Sequence, residues 1–364
     1  MRVLQVIDSL RIGGAEVLVR DLVPRFLQRG VDCEVLVLSR SSSALEIALQ
    51  KAGVKILDTG SIPLYSPRQI PVLARCLRGF SLVHVHLFPA QLWAALAAVQ
   101  IRCLLVTTEH NTWNARRHWW FHAVDAWIYS RYRQIACNSD ATARELARWC
   151  PSVKEKLRVI PNGIPIEVFA DARPANLLGV GDGMIKAIFV GRFEPQKDHA
   201  TLLRALALAP RIHLLLLGDG PLRNRLEQLA HDLGVSDRVT FAGFRNDVPE
   251  TLKACDIYVH STTSDGFGIA ACEAMAAGLP VIASDVPGLA QVVEGAGVVF
   301  PVGDHASLAL ELNALAGSAE RRARMSEASR RRARDFGIDK TVDLHIQMYE
   351  AVLQSAAEQP RVMV

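Results

Sequence analysis

The sequence predicts an α/β protein made of two successive doubly wound domains, each a parallel sheet with helices on both faces. Three observations carry this. Short apolar runs rich in Val, Ile and Leu alternate with helix-sized segments along the whole chain. The runs lack a polar alternate, as strands covered on both faces require. With 364 residues, 50% of them hydrophobic, the chain has enough apolar material for two cores and too much for one open sheet of ordinary size.

The first domain starts with a strand over Val3 to Ile7, a Gly13-Gly14 turn, and a helix whose apolar positions are Val17, Leu18, Leu22 and Phe26. Strands follow at Cys33 to Leu38, Val54 to Leu57, Leu82 to Val85, Leu104 to Thr108 and Gln134 to Cys137, with a helix at Ala44 to Lys51. A long helical segment rich in Trp and Arg is expected between the last two strands. After Pro161-Asn162-Gly163 the periodicity weakens, and Asp171 to Gly183 has a linker's composition. The domains are therefore set at 1–170 and 184–340, with 171–183 joining them. The second series has strands at Lys186 to Val190, His213 to Leu217, Val239 to Phe241, Asp256 to His260, Val281 to Ala283 and Val298 to Phe300. The chain then turns helical from His305, and a last helix over 341–357 is expected to pack back on the first domain. In such sheets ligands bind at the carboxyl ends of the strands, so a cleft between the domains is the expected site.

Bulk properties exclude several classes. A formal charge of +4 is too mild to argue for nucleic acid, and none is expected as a partner. Seven cysteines without CxxC pairs read as reduced core residues of a cytoplasmic protein. The N-terminal apolar stretch is too short for a signal segment, and no run reaches the roughly 18 apolar residues of a membrane span. No Asp-x-Asp occurs. His84-x-His86 is the nearest approach to a metal-ligand pair, and it is discounted on the expectation that the two side chains lie on opposite faces of a buried strand. No metal and no cofactor is expected.

Three strand-to-helix turns carry chemistry. In Val190-Gly191-Arg192-Phe193-Glu194-Pro195-Gln196-Lys197-Asp198, one Arg and one Lys can neutralise a leaving diphosphate without a metal, although a surface loop with two solvated cations has the same pattern. In Gly218-Asp219-Gly220-Pro221, glycines permit close backbone approach to a ligand, or simply a tight turn. In Ser264-Asp265-Gly266-Phe267-Gly268, a carboxylate sits in a glycine-rich turn, and Glu273 follows eight positions on, along a helix of small and apolar residues. Amides of Gly266, Phe267 and Gly268 suit phosphate or sugar oxygens, and Glu273 suits a ribose diol. Asp265 is also a fair helix cap, and Glu273 could meet a structural cation.

Taken together with Val239-Thr240-Phe241-Ala242-Gly243 and Glu-Ala-Met-Ala-Ala-Gly-Leu-Pro-Val from Glu273, this ordered set resembles the large family of retaining GT-B glycosyltransferases. That family includes sucrose synthase-like enzymes and lipid-linked mannosyl- and N-acetylglucosaminyltransferases. The likeness covers nearly the whole chain: Gly13-Gly14-Ala15-Glu16, Val83-His84-Val85-His86 and Pro161-Asn162-Gly163-Ile164 match its N-terminal features. The resemblance implies a nucleoside-diphosphate sugar donor, with Arg192 and Lys197 on the diphosphate, Glu273 on the ribose and the 266–268 amides on sugar and phosphates. It places Gly14 near the phosphates from the opposite domain and His110 near the donor sugar. Gly191 and Gly218 line the same turns. Asp265 stands where the family usually has Glu, and a shorter arm alters its reach toward the sugar.

No nucleophile can be picked out for a two-carboxylate hydrolase-like route. The resemblance implies same-face substitution, in which the departing phosphate helps remove the acceptor proton and Arg192, Lys197, Asp265 and His110 stabilise and position. The acceptor is expected to be a glycan or lipid-linked molecule of bacterial cell-surface polysaccharide assembly. The stretch from Trp113 to Arg133 holds four of the six tryptophans and suits either an anionic membrane surface, at the inner face of the cell membrane, or a core. The arginines at 321–324 and 330–334 read as solvated helix faces. Two other readings stay open: a sugar-nucleotide epimerase of related architecture, and a non-catalytic nucleotide-sugar-binding protein.

Overall fold

A computed structural model describes residues 1–11, 13–101, 103–112, 114, 116–177 and 183–358. Contacts divide the chain into two compact units: Met1–Gly163 with the segment from Ile338 onward, and Ile164–Gly337.

Unit 1 is a seven-stranded parallel sheet of β1 (Arg2–Ile7), β2 (Asp32–Val37), β3 (Ile56–Asp58), β4 (Leu82–His86), β5 (Leu105–Glu109), β6 (Gln134–Cys137) and β7 (Leu157–Val159), in the order 3-2-1-4-5-6-7. Unit 2 is a six-stranded parallel sheet of β8 (Ile185–Val190), β9 (Ile212–Leu217), β10 (Val239–Gly243), β11 (Ile257–His260), β12 (Val281–Ser284) and β13 (Val298–Phe300), in the order 10-9-8-11-12-13. Both sheets are doubly wound, as the apolar runs required. Each reverses its winding beside its first strand, between β1 and β4 and between β8 and β11, the switch points at which open parallel sheets take their ligands. Each sheet has a core on either face. In unit 2 one is built on Phe189, Leu214 and Leu216, and the other on Tyr258, Met275 and Leu289.

The sequence missed β7, because Arg158 interrupts its apolar character and only three residues pair. The join between units also differs from the expected 171–183. The chain passes from one unit to the other at Gly163 and returns at Ile338. Residues 171–177 belong to unit 2, where Ala175 N donates to Glu250 O (2.9 Å) and Leu177 packs on the core. Polar, Pro-containing composition is shared by linkers and docked surface loops. Residues 178–182 lie outside the described residues.

The helix Ile338–Glu358 belongs to unit 1 and buries Ile338, Val342, Met348, Tyr349 and Val352 in the same core as Phe26. Arg29 pairs with Asp339 and Asp343, both at 3.0 Å, along that seam. The segment expected as one long helix from Trp113 to Arg133 is instead a 3₁₀ turn, Trp119–Phe121, followed by the helix His122–Ser130, with Trp113 and Ala115 outside the described residues. The C-terminal arginines divide: Arg324, Arg330, Arg331 and Arg334 lie on exposed helix faces as expected, whereas Arg321 pairs with Glu311 and Arg332 donates to the carbonyls of Val292 and Gln291. All seven cysteines are free, five of them buried. Among the described residues no helix is long and apolar enough to cross a membrane, and no group of three or more His, Cys, Asp or Glu is placed to hold a metal ion.

Candidate functional site

The unit 2 site grows from the switch point. The loops that leave β8 and β11 run side by side, and the chain stitches them together. Thr263 N donates to Gln196 O (2.8 Å), the Thr262 hydroxyl donates to the same carbonyl (2.9 Å), and Ser261 Oγ donates to Lys197 O (3.1 Å). Gln196 Nε2 answers by donating to Ser264 O at 2.6 Å. Seven residues after the end of β8, Lys197 is thereby held beside Asp265. Its Nζ lies 2.7 Å from Asp265 Oδ2, with the two side chains 23% and 15% exposed.

Asp265 has two further partners beside Lys197. His260 Nε2 lies 3.2 Å from the same oxygen, and Phe267 N donates to Oδ1 at 3.1 Å. Burial opposes ionisation, but Lys197 and His260 outweigh it and hold this carboxyl well below the usual carboxylate range. Burial pushes the His260 imidazole down, against the pull of Asp265, so it is neutral near pH 7. Arg192 contrasts with this: 58% exposed, it pairs with Glu194 at 2.6 Å. An exposed pair of this kind is worth only about 0–1 kcal/mol, so an incoming anion can recruit the guanidinium at little cost.

The glycines divide into two roles. Gly218 packs against the Gly191 carbonyl, which a Cβ at position 218 would overlap, and its φ of +132° suits glycine alone. Gly191 N donates to Leu217 O at 2.9 Å, so these two residues bring the β8 and β9 loops together. Gly268, at φ +86°, precedes the helix Ile269–Ala277 and accepts from Ala271 N (2.9 Å). The Phe267 side chain is buried and meets the Phe336 ring edge-on at 5.4 Å, and its amide is committed to Asp265. Phe267 is thus a core anchor for the turn. Glu273 lies half-buried about one turn into the helix, close enough for its charge to help raise the Tyr258 phenol.

Gly14 and His110 belong to unit 1. Gly14 is the exposed first residue of the helix Gly14–Gln28, and Ile12 lies outside the described residues. His110 follows β5, half-buried, with its Nε2 3.2 Å from His86 Nδ1 and its carbonyl accepting from Asn138 Nδ2 at 2.7 Å. Burial and His345 bring its pKa down to about 4. The expectation for His84 and His86 is reversed. Residues two apart on a strand share a face, and the two imidazoles stack with centroids 4.2 Å apart. His84 and His86 join Gln5, Thr108 and Tyr349 in a buried hydrogen-bond network, which accounts for their ring nitrogens without a metal.

Two further residues escaped the sequence reading. Asp8, at the end of β1, accepts from Ala90 N (2.9 Å), and burial carries its carboxyl up to about 7. Its position one residue past a strand end was the available clue. His260 ends a strand already recognised as such, and its five-residue offset from Asp265 was open to reading.

Two family profiles match the chain in series. Residues 12–168 match "Glycosyltransferase Family 4" and residues 178–332 match "Glycosyl transferases group 1". The chain belongs to glycosyltransferase family 4. It is a retaining GT-B glycosyltransferase that moves a sugar from a nucleotide sugar. The transferase is 28% identical over 393 residues to a D-inositol 3-phosphate glycosyltransferase of Mycolicibacterium smegmatis, an alignment covering 96% of this chain and 89% of that one. It is 32% identical over 197 residues to the lipopolysaccharide core biosynthesis glycosyltransferase LpsE of Rhizobium meliloti, over 53% of this chain and 56% of LpsE. Among solved structures, Anabaena HepE in complex with UDP-glucose superposes with a TM-score of 0.85 at 22% identity, covering 96% of the transferase and 100% of that chain.

Proposed function

We propose that this transferase passes a hexose from a nucleoside-diphosphate sugar to a glycan or lipid-linked acceptor in the assembly of a bacterial surface polysaccharide. The single observation that carries the donor side is the Lys197–Asp265 pair at the β8/β11 switch point, a fixed cation at the mouth of a parallel sheet. In this reading Lys197 and Arg192 neutralise the diphosphate as the glycosidic bond breaks. They supply preorganised positive charge where negative charge develops. The start of the helix Ile269–Ala277, with Gly266 and Gly268 before it, receives phosphate oxygens, and Glu273 accepts from the ribose hydroxyls. Asp265, on its short arm, addresses the sugar. The family resemblance assigns Gly14 to the donor phosphates and the neutral His110 to the donor sugar. The departing phosphate takes the acceptor proton on the same face.

The acceptor reading is supported by the relation to LpsE, whose name places that protein in lipopolysaccharide core synthesis. A membrane-facing surface is supported by Trp119 and Trp120, 87% and 61% exposed, with Arg131 and Arg133 exposed nearby in sequence. Such a surface suits work at the inner face of the cell membrane.

The donor is tested by thermal shift with UDP-, GDP- and ADP-sugars. A bound donor raises the melting temperature by mass action, and a ligand at about a hundredfold its Kd adds about 2.7 kcal/mol. One base series is expected to stabilise the chain. No shift with any of the three sinks the donor-site reading.

A further inference from the structure

Tyr258, His260 and Asp265 form a chain of hydrogen bonds that ends on Lys197, and its direction can be worked out. Asp265 is an ionised acceptor, so the His260 nitrogen 3.2 Å away, Nε2, must carry a proton. The other nitrogen, Nδ1, lies 3.2 Å from the Tyr258 hydroxyl. Tyr258 and His260 are two apart on β11 and so share a face. A proton on Nδ1 as well would make an imidazolium in a site where His260 is 2% exposed and Tyr258 0%. The charged and titratable groups facing it are Lys197 and His199 from the β8 side and Asp265 from its own loop, with Glu273 acting on Tyr258. Of these, the Lys197 ammonium resists a further positive charge. The consistent state is a neutral ring that accepts from Tyr258 O–H and donates from Nε2–H.

We propose that His260 is a positioning residue of this transferase: locked by Tyr258 as a neutral Nε2–H donor, it fixes the Asp265 carboxylate and, through it, the Lys197 ammonium. Asp265 has one methylene and sits in a loop. Oδ1 is held by the Phe267 amide, and Oδ2 is shared by Lys197 and His260. His260 thus anchors the carboxylate without adding a second positive charge that would compete for it. Loss of that anchor leaves Lys197 to hold an acid that is free to turn, and the ammonium loses its fixed place. The consequence for ligand rests on the reading above, in which Lys197 grips the donor diphosphate.

The first test is ¹⁵N NMR of the histidine-labelled full chain, with His260 assigned by comparison with the His260→Gln spectrum. His260 is expected as the neutral Nε2–H tautomer from about pH 8 down to about pH 5.5. Tyr258→Phe should shift the Nδ1 resonance while Asp265 keeps the proton on Nε2, and Asp265→Asn should shift the Nε2 resonance. An Nδ1–H tautomer or an imidazolium at neutral pH overturns the proposal, as does an Asp265→Asn spectrum with His260 unmoved. The second test is calorimetry with UDP, GDP and ADP. Glutamine can present an amide N–H where Nε2 stood, whereas asparagine is too short. His260→Gln should therefore keep the tightest affinity within about twofold, and His260→Asn should weaken it about tenfold. Equal affinities, or the reverse order, overturn it. Lys197→Ala separates the two readings: if it leaves all three affinities unchanged, the donor-site assignment fails while the spectra still judge His260.

Discussion

At the scale of single residues, the transferase sets one well-anchored cation and one recruitable cation on the same loop. Lys197 is part-buried on Asp265, while Arg192 is exposed on Glu194. Removing Lys197 is expected to cost about 10²-fold in turnover, the range for losing one preorganised charge aimed at a developing negative charge, and Arg192→Ala about tenfold or more. Steady-state kinetics with the donor found by thermal shift, alongside unchanged circular dichroism, checks both. Near-normal rates in the two variants would remove them from the site. Residues also set the response to acid. Burial lowers His110 and His345 to about 4 and His199 to about 3, and it depresses His84 and His86 further below their ordinary value. The unfolded chain binds protons at these positions from about pH 6.5 downward and the folded chain does not, so stability is present above that pH and is lost as pH falls. The melting temperature should drop between about pH 7 and pH 5. His199 packs against Phe189 and Phe193 with neither ring nitrogen bonded, so His199→Leu should flatten that slope. A melting temperature independent of pH would contradict this account.

Among elements, the loops after β8 and β11 matter more than the strands that carry them. Side-chain and backbone bonds between 196–197 and 261–264 hold two otherwise separate turns in register, so a part-buried cation and its carboxylate come from positions 68 apart. The motif reading named both residues and assigned each a ligand, but it had no means of pairing them. Sequence spacing reports local geometry, and this contact is made across the sheet. The Trp113 to Arg133 stretch teaches the converse. Its composition left surface and core open, and the element splits them: Ile128 and Tyr129 are buried while Trp119 and Trp120 stand out. If the exposed pair meets lipid, Trp119→Ala with Trp120→Ala should lower sedimentation with anionic phosphatidylglycerol vesicles several-fold, since each indole face buries about 1.5–3 kcal/mol of apolar surface. Unchanged sedimentation would assign the pair to another role.

For the molecule as a whole, the helix Ile338–Glu358 ties the end of the chain to its beginning. Tyr349 accepts from Gln5 Nε2 at 3.1 Å and lies 2.6 Å from His84 Nδ1, joining β1, β4 and the last helix in one buried network. Tyr349→Phe keeps the packing against Phe26 and removes only the hydroxyl, leaving polar groups on both sides without it. A loss of about 1–3 kcal/mol in urea unfolding is expected, the cost of stranding buried partners. A loss within error would mean that the network contributes little to stability.

The sequence by itself determined the two parallel sheets, the family, and the turns that carry Arg192, Lys197, Asp265 and Glu273. These follow from period, glycine placement and charge at fixed offsets, which are local properties. Only the tertiary structure decided where the chain leaves one unit for the other, that Gly218 and Phe267 brace the turns, that His84 and His86 belong to a structural network, and that His260 stands behind Asp265. Each of these is a contact between segments far apart or a choice of face, and such contacts depend on which side chains the packing of whole sheets brings within hydrogen-bond reach.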